Sequence, residues 1–334
     1  FRSAAHVFLN GRKIFEGKSE ESATRERLHL SCEAGLNELF FEITDRSGEG
    51  GLSCRSSVPL TPPPTAYGCL TKAWETEATF DVPESVLYDP QRQVLYVSSF
   101  ARVGRRAPGE GYLSRLTVDG EIKDHKWIEG LDGPCGMALA NGRLYVVECS
   151  GNLVEIDPDA GEILQRYAAP GCTFLNDVAA DDEGTVYFSD TTRSADGADV
   201  YRFRDGEVEL WKTGTDLART NGLFAHAGRL LAGSSGDGLL KSVDLKTGKT
   251  SAITALAPHI IDGIRVDKAG NFLVSHWEGQ LFRISGDGEI TEILDLLPSG
   301  LNIADFEYIK ELGLLVIPTF LGNKIVAYKL DEQR

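Results

Sequence analysis

The sequence predicts an all-β protein, a six-bladed β-propeller preceded by a small, partial β-sandwich of jelly-roll character. The first observation is a strand–turn–strand unit, CTFLNDVAADDEGTVYFSDT from Cys172 to Thr191. In it, two short apolar runs flank the turn Asp181-Asp182-Glu183-Gly184. The second is recurrence: TNGLFAHAGRLLAGSS from Thr220 and IDGIRVDKAGNFLVSHW from Ile261 are close copies, and weaker ones begin near Glu84, Cys135 and Ala304. In register the copies start at Glu84, Cys135, Asn176, Asn221, Asp262 and Ala304. Their mean spacing of about 44 residues is the length of a four-stranded propeller blade. The third is that no strand–helix alternation and no long 3.6-residue period competes with this pattern.

Taken in order, residues 1–60 fall outside the period. Strands are expected at Ala5–Leu9 and Arg12–Phe15 around an Asn10-Gly11 turn, then at Arg27–Leu30, Leu36–Ile43 and Gly51–Arg55. VFLNGRKIF, AGLNELFFEITD and GEGGLSCR together resemble the closing strands of galactose-binding-like jelly-roll modules. That resemblance implies docking or carbohydrate recognition by this segment. Residues 61–72, with Pro62, Pro63 and Pro64, read as a stiff linker, and residues 73–334 as the propeller. Each repeated unit is followed by two further strands, as at Asp199–Phe203 and Glu207–Trp211 around the hairpin pair Asp205-Gly206. The first blade carries a long insertion up to Tyr112, whose Arg102, Arg105 and Arg106 suit an anionic substrate group or a lid. The last copy supplies only its third strand, Asn323–Tyr328, so residues 73–82 are expected to add its outer strand and close the ring.

Composition narrows the partners. A net charge of −16 excludes a basic nucleic-acid-binding face and suits cations. No apolar run approaches the 18 residues of a membrane span. The six cysteines, Cys32, Cys54, Cys69, Cys135, Cys149 and Cys172, make no CxxC pair and no zinc-type spacing. Free thiols are favoured, with Cys32–Cys54 the pair to form in an oxidising compartment. The chain begins at Phe1 rather than Met, and a periplasmic or secreted location is expected over a cytoplasmic one.

Innermost blade strands begin near the propeller axis on one face, so residues at the register position converge on a channel mouth. Glu84, Asn176, Asn221 and Asp262 are oxygen donors there, whereas Cys135 and Ala304 are not. Two carboxylates and two amide carbonyls match Ca²⁺, with Mg²⁺, Mn²⁺ or Zn²⁺ as alternatives. Asn and Asp also favour turns that precede strands, but Glu84 is poorly explained that way. The second strand of each blade returns to the same face, ending at Ser98, Glu148, Asp190, Ser235, His276 and Thr319. His276 is the imidazole among them and a candidate general acid or base. Glu148, Asp190, Thr319 and the insertion's Arg105 are expected to contact substrate or support the residues that do. Asp177 and Asp305, next to register positions, are expected to bond backbone amides within their blades.

PESVLYDP, FLNDVAADDEGTVYFSD, TNGLF and IDGIRVDKAGNFLVS resemble the signature segments of the gluconolactonase, senescence-marker and luciferin-regenerating family over residues 74–330. The resemblance implies a six-bladed propeller with a divalent cation, usually calcium, in its channel. It places the ligands on Glu84, Asn221 and Asp262 and a further metal- or substrate-binding asparagine on Asn176. It also implies that Asp262 activates water. Sugar-lactone hydrolases of the family carry arginine two residues before that asparagine, where this chain has Phe174. An apolar acyl or aryl lactone, or an ester, is therefore the expected small-molecule substrate of a calcium-dependent hydrolase. The alternatives are a non-catalytic, metal-stabilised propeller that binds a glycan or protein, and a phosphotriesterase-like hydrolase. An open coordination position would separate the catalytic readings from the scaffold.

Overall fold

The structure is a computed structural model. It describes residues 68–102, 108–191, 198–256 and 260–331, together with the backbone of four strands at 3–9, 12–19, 39–44 and 65–66. The chain divides into two compact units, 1–60 and 61–334.

In the first unit, Ser3–Leu9 lies between Arg12–Ser19 and Leu39–Thr44 in one antiparallel sheet. One three-stranded sheet is not a sandwich, and the described residues of this unit include no second sheet to face it. The expected strands at 27–30 and 51–55, Cys32, Cys54 and the proline run lie outside the described residues, as does Arg105.

The second unit is the six-bladed propeller. Blades 1 to 4 are antiparallel meanders whose strands follow sequence order from the axis outward, and blade 3, for example, runs Leu175–Ala180, Val186–Asp190, Ala198–Arg204 and Glu207–Gly214. The hairpin at Asp205-Gly206 holds both residues at positive φ, 53° and 85°, the geometry that matches the twist of its flanking strands. Middle strands are buried on both faces, so they read as continuous apolar runs such as Val94–Ser99 and Leu314–Pro318.

Leu70–Glu75 pairs with Ile325–Leu330 and completes blade 6 from the start of the unit. The strand used is therefore 70–75 and not 73–82. Residues 76–80 instead form a turn bonded to the loop before Ile325, through Thr76 to Ile325 and Phe80 to Asn323. Thr65–Ala66 adds a short fifth strand to blade 5, so the proline-rich stretch ends within the propeller. The seam between blades 6 and 1 is filled by Val86, Leu95, Val97 and Leu116 against Val316, Ile325 and Ala327, all fully buried. At about 1.5–3 kcal/mol per large apolar side chain, this contact adds to the strand pairing that holds the ring shut.

One local device repeats at the axis. In blades 1 to 5 the innermost strand pairs through its first residue and then bulges, with the ladder resuming two or three residues later. The bulged residues are Glu84, Cys135, Asn176, Asn221 and Asp262. A bulge leaves its residue off the ladder and re-aims the side chain, here away from the blade.

Candidate functional site

Five of the six register positions are the second residue of an inner strand: Glu84 in Pro83–Asp89, Cys135 in Pro134–Ala140, Asn176 in Leu175–Ala180, Asn221 in Thr220–His226 and Asp262 in Ile261–Val266. Ala304 precedes the inner strand of blade 6, Glu307–Ile309. Glu84, Asn221 and Asp262 are buried, at 6%, 5% and 2% exposure. Each also carries a buried oxygen with no hydrogen-bond donor, namely Glu84 Oε2, Asn221 Oδ1 and Asp262 Oδ1. Asn176 is half-buried.

Burial raises the Glu84 carboxyl well above the usual range, and the charges of Asp262, Asp305 and Asp177 push it further. Asp262 is raised by burial and then by Asp305 and Glu278, against a hydrogen bond from the Asn221 side chain. Glu84 and Asp262 thus repel each other across one small space. Cys135, next to Glu84 in the ring, has its thiol pushed up by burial and by Glu84, which keeps it protonated.

This donor set fits a hard cation. Buried carboxylates and an amide oxygen lacking donors have lost water and gained nothing in return, a cost that a divalent ion would remove. Among the described residues no group of three or more His, Cys, Asp or Glu side chains forms a metal cluster. A cation here therefore depends on the asparagine carbonyls as well as on the two carboxylates.

The residues after the register positions stitch neighbouring blades together. Asp177 accepts hydrogen bonds from Val178 N at 2.7 Å and from Leu223 N of blade 4 at 2.6 Å. Asp305 accepts from Ser85 Oγ of blade 1 at 2.6 Å. Asp177 therefore bonds a backbone amide in its own blade, as expected, and also one in the next, whereas Asp305 reaches across to a side chain of blade 1. Arg265 adds a buried cation, ion-paired with Asp305 at 3.2 Å and Glu307 at 3.4 Å. Burial disfavours its charge, but those carboxylates and Asp177 outweigh it and hold the guanidinium protonated.

The second strands end opposite the residue that precedes each register position. Strand pairing equates Ser99, Glu148, Asp190, Ser234, His276 and Thr319, so Ser98 and Ser235 stand one residue off the series. All six are fully buried. Several hold the loop that leads into their own blade. Asp190 accepts from Thr173 N and Phe174 N at 2.7 and 2.8 Å. Glu148 accepts from Asp132 N at 3.1 Å and pairs with Arg166 at 3.2 Å, and Ser234 Oγ donates to Ala218 O at 2.6 Å. Thr319 closes a turn with Lys324. His276 packs edge-on against Phe282 of its own blade, ring centroids 4.8 Å apart.

Beyond these ends lies the rim. A backbone rung recurs there: Phe100 N donates to Val82 O, Cys149 to Gly133, Thr191 to Phe174, Ser235 to Arg219 and Trp277 to Ile260, at 2.9 to 3.1 Å. It sets Phe174 and Arg219 at one level, each two residues before a register asparagine. The partly exposed rings of Phe100, Phe174, Trp277 and Phe320 give this rim an apolar character. Glu278, Arg265 and Arg219 had no signal in the repeat, since each occurs in one blade only.

Comparisons with known proteins agree with this architecture. A family model described as SMP-30/Gluconolactonase/LRE-like region matches residues 82–300. The protein Strictosidine synthase-like 3 of Arabidopsis thaliana is 26% identical over 226 residues, 58% of this chain. The chain spans 58% of that relative's length. A streptogramin B lyase structure superposes with TM-score 0.56 at 14% identity, over 78% of this chain and 97% of the other. A luciferin-regenerating enzyme gives 0.55 at 16%, over 75% and 92%. A catalytically inactive virginiamycin B lyase from Staphylococcus aureus with quinupristin gives 0.55 at 13%, over 78% and 99%. At such identities the structures share the fold.

Proposed function

The chain belongs to the SMP-30/gluconolactonase/LRE-like family, and on that premise we propose that it is a calcium-dependent hydrolase of a lactone or related ester. The observation that supports the reading is that Glu84, Asn221 and Asp262 each bury an oxygen without a donor, while Asp262 interacts with both of the others. Those residues would hold the ion, with Asn176 beside them. A bound divalent cation supplies polarisation of a substrate carbonyl and a lower pKa for a nearby water.

The chain's own groups do the rest. Asp262, a buried carboxylate with one oxygen that no donor satisfies, accepts the proton of the attacking water. Asn221 hydrogen-bonds the Asp262 side chain and fixes its orientation. The rings of Phe174 and Trp277 shed water around an apolar acyl or aryl group. Asp190 keeps Phe174 in place through its amide.

The direct test is a panel of aliphatic and aryl lactones and esters, assayed with calcium and with chelator. Turnover of at least one member is expected, and it should vanish in chelator and return with calcium. Turnover indifferent to the ion would remove the cation from the chemistry.

The same groups predict a linked change in stability. In chelator, the raised pKa values of Glu84 and Asp262 mean that the folded chain binds protons more tightly than the unfolded one, whose carboxyls titrate near about 4. Their contribution is therefore full below that value and is lost as pH rises through the folded values. Calcium neutralises both charges, so the rise in Tm on adding it should be larger at pH 8 than at pH 5. Differential scanning calorimetry would show this, and a rise equal at both pH values would contradict it.

A further inference from the structure

We infer that Arg219 and Ser235 form an anion-binding subsite on the channel rim, which takes a carboxylate or similar oxyanion group of the substrate. This deepens the hydrolase reading and rests on it for the word substrate; the subsite itself stands on its own geometry.

The first observation is an uncompensated cation. Arg219 makes no side-chain hydrogen bond or ion pair with the described residues, and its Nε is buried without an acceptor. The chain carries 50 acidic residues against 34 basic ones, and its buried arginine, Arg265, sits between two carboxylates, whereas Arg219 is half-buried. A guanidinium offers five donors in a planar fork and stays charged, so leaving it without an acceptor is costly unless something else supplies one.

Next to it, the Ser235 hydroxyl is likewise buried and without a partner. The rung from Ser235 N to Arg219 O, 3.1 Å, puts the two residues side by side. Two residues on, Asn221 Oδ1 is the donor-less atom of the proposed ion site. Arg219 thus stands at the edge of that site, one blade round from Phe174 and level with it.

The backbone shows that this placement is built. Ala218 and Arg219 both have positive φ, 35° and 61°, a region that non-glycine residues avoid. Four hydrogen bonds hold the segment there. Ser234 Oγ and Gly236 N both donate to Ala218 O, Ser235 N to Arg219 O and Thr220 Oγ1 to Leu217 O. Gly236 is required, because a Cβ there would come within 2.4 Å of Ala218 O. Strain that the surroundings over-determine is a mark of functional positions.

A charged fork, one hydroxyl and a neighbouring apolar rim specify the ligand class: an oxyanion on an apolar body. The proposed substrate is then a lactone or ester that also bears a carboxylate, whose charge Arg219 and Ser235 hold while Asp262 works on the acyl group.

The probe is phenylacetate against phenylacetamide, which share a shape and differ in charge. Both are titrated calorimetrically into the full chain, in calcium and in chelator, with wild type, Arg219→Met, Arg219→Lys and Ser235→Ala. Phenylacetate is expected to bind at least about 10-fold more tightly than the amide, and to do so in chelator as well. The preference should vanish in Arg219→Met and weaken in Arg219→Lys and Ser235→Ala, with Tm unchanged in the last two. Binding that needs calcium and ignores Arg219→Met would assign the anion to the ion and overturn the subsite, as would the absence of any preference for the acid. Neither result depends on turnover, so a failed lactone panel leaves this inference standing, and its own failure leaves the panel's result intact.

Discussion

Asp262→Asn is expected to lower turnover by about 10²–10⁴-fold, the range for removing a positioned general base. Asparagine matches aspartate in shape, so the 2%-exposed site should keep its packing. What goes is a charge and a proton acceptor. Asp262 is a buried carboxylate with one oxygen free of any donor, the group assigned to take a proton from water. Substitution also removes one of the two negative charges expected to hold calcium. Calorimetric titration with calcium separates the effects: assay at saturating ion isolates the loss of the base, while the titration reads the loss of the ligand. Asp159→Asn, on an aspartate 78% exposed and paired with Arg92, serves as a control of equal charge change. Turnover preserved in Asp262→Asn at saturating calcium would remove it from the chemistry.

Arg265→Met should destabilise the fold by about 3–5 kcal/mol, the cost of stranding a buried charge by removing its partner. The guanidinium neutralises Asp305 and Glu307, donates to Ile264 O at 2.8 Å, and lies over Phe224 and Phe306 at 5.5 and 5.9 Å from their centroids. Methionine keeps much of the apolar stem and none of these interactions. Because Asp305 in turn bonds Ser85, the damage should reach the seam between blades 6 and 1. Chemical denaturation measures the loss, and the double variant with Glu307→Gln should recover part of it, as a coupled pair requires. A loss below about 1 kcal/mol would make the cluster a solvated one.

The repeat made the register positions legible. Glu84, Asn176, Asn221 and Asp262 share one register because one bulge occurs at the same place in each blade, and a period of blade length marks it without coordinates. The positions one turn further out were not legible in the same way. Glu148 and Asp190 end second strands as expected, but their side chains are spent on their own leading loops. The closing strand was found three residues from where alternation put it, since a two-residue period does not fix where an outer strand stops.

The sequence by itself determined the blade count, the order of strands and the oxygen donors at the axis, because each of these repeats and a repeat is readable along the chain. Only the tertiary structure decided which charges meet. Arg265 of blade 5 finds Asp305 and Glu307 because the inner strand of blade 6 packs beside its own, and Arg219 of blade 4 finds no acidic partner among the described residues. Such pairings depend on distances across the axis, and separations of 40 to more than 200 residues carry no periodic trace of them.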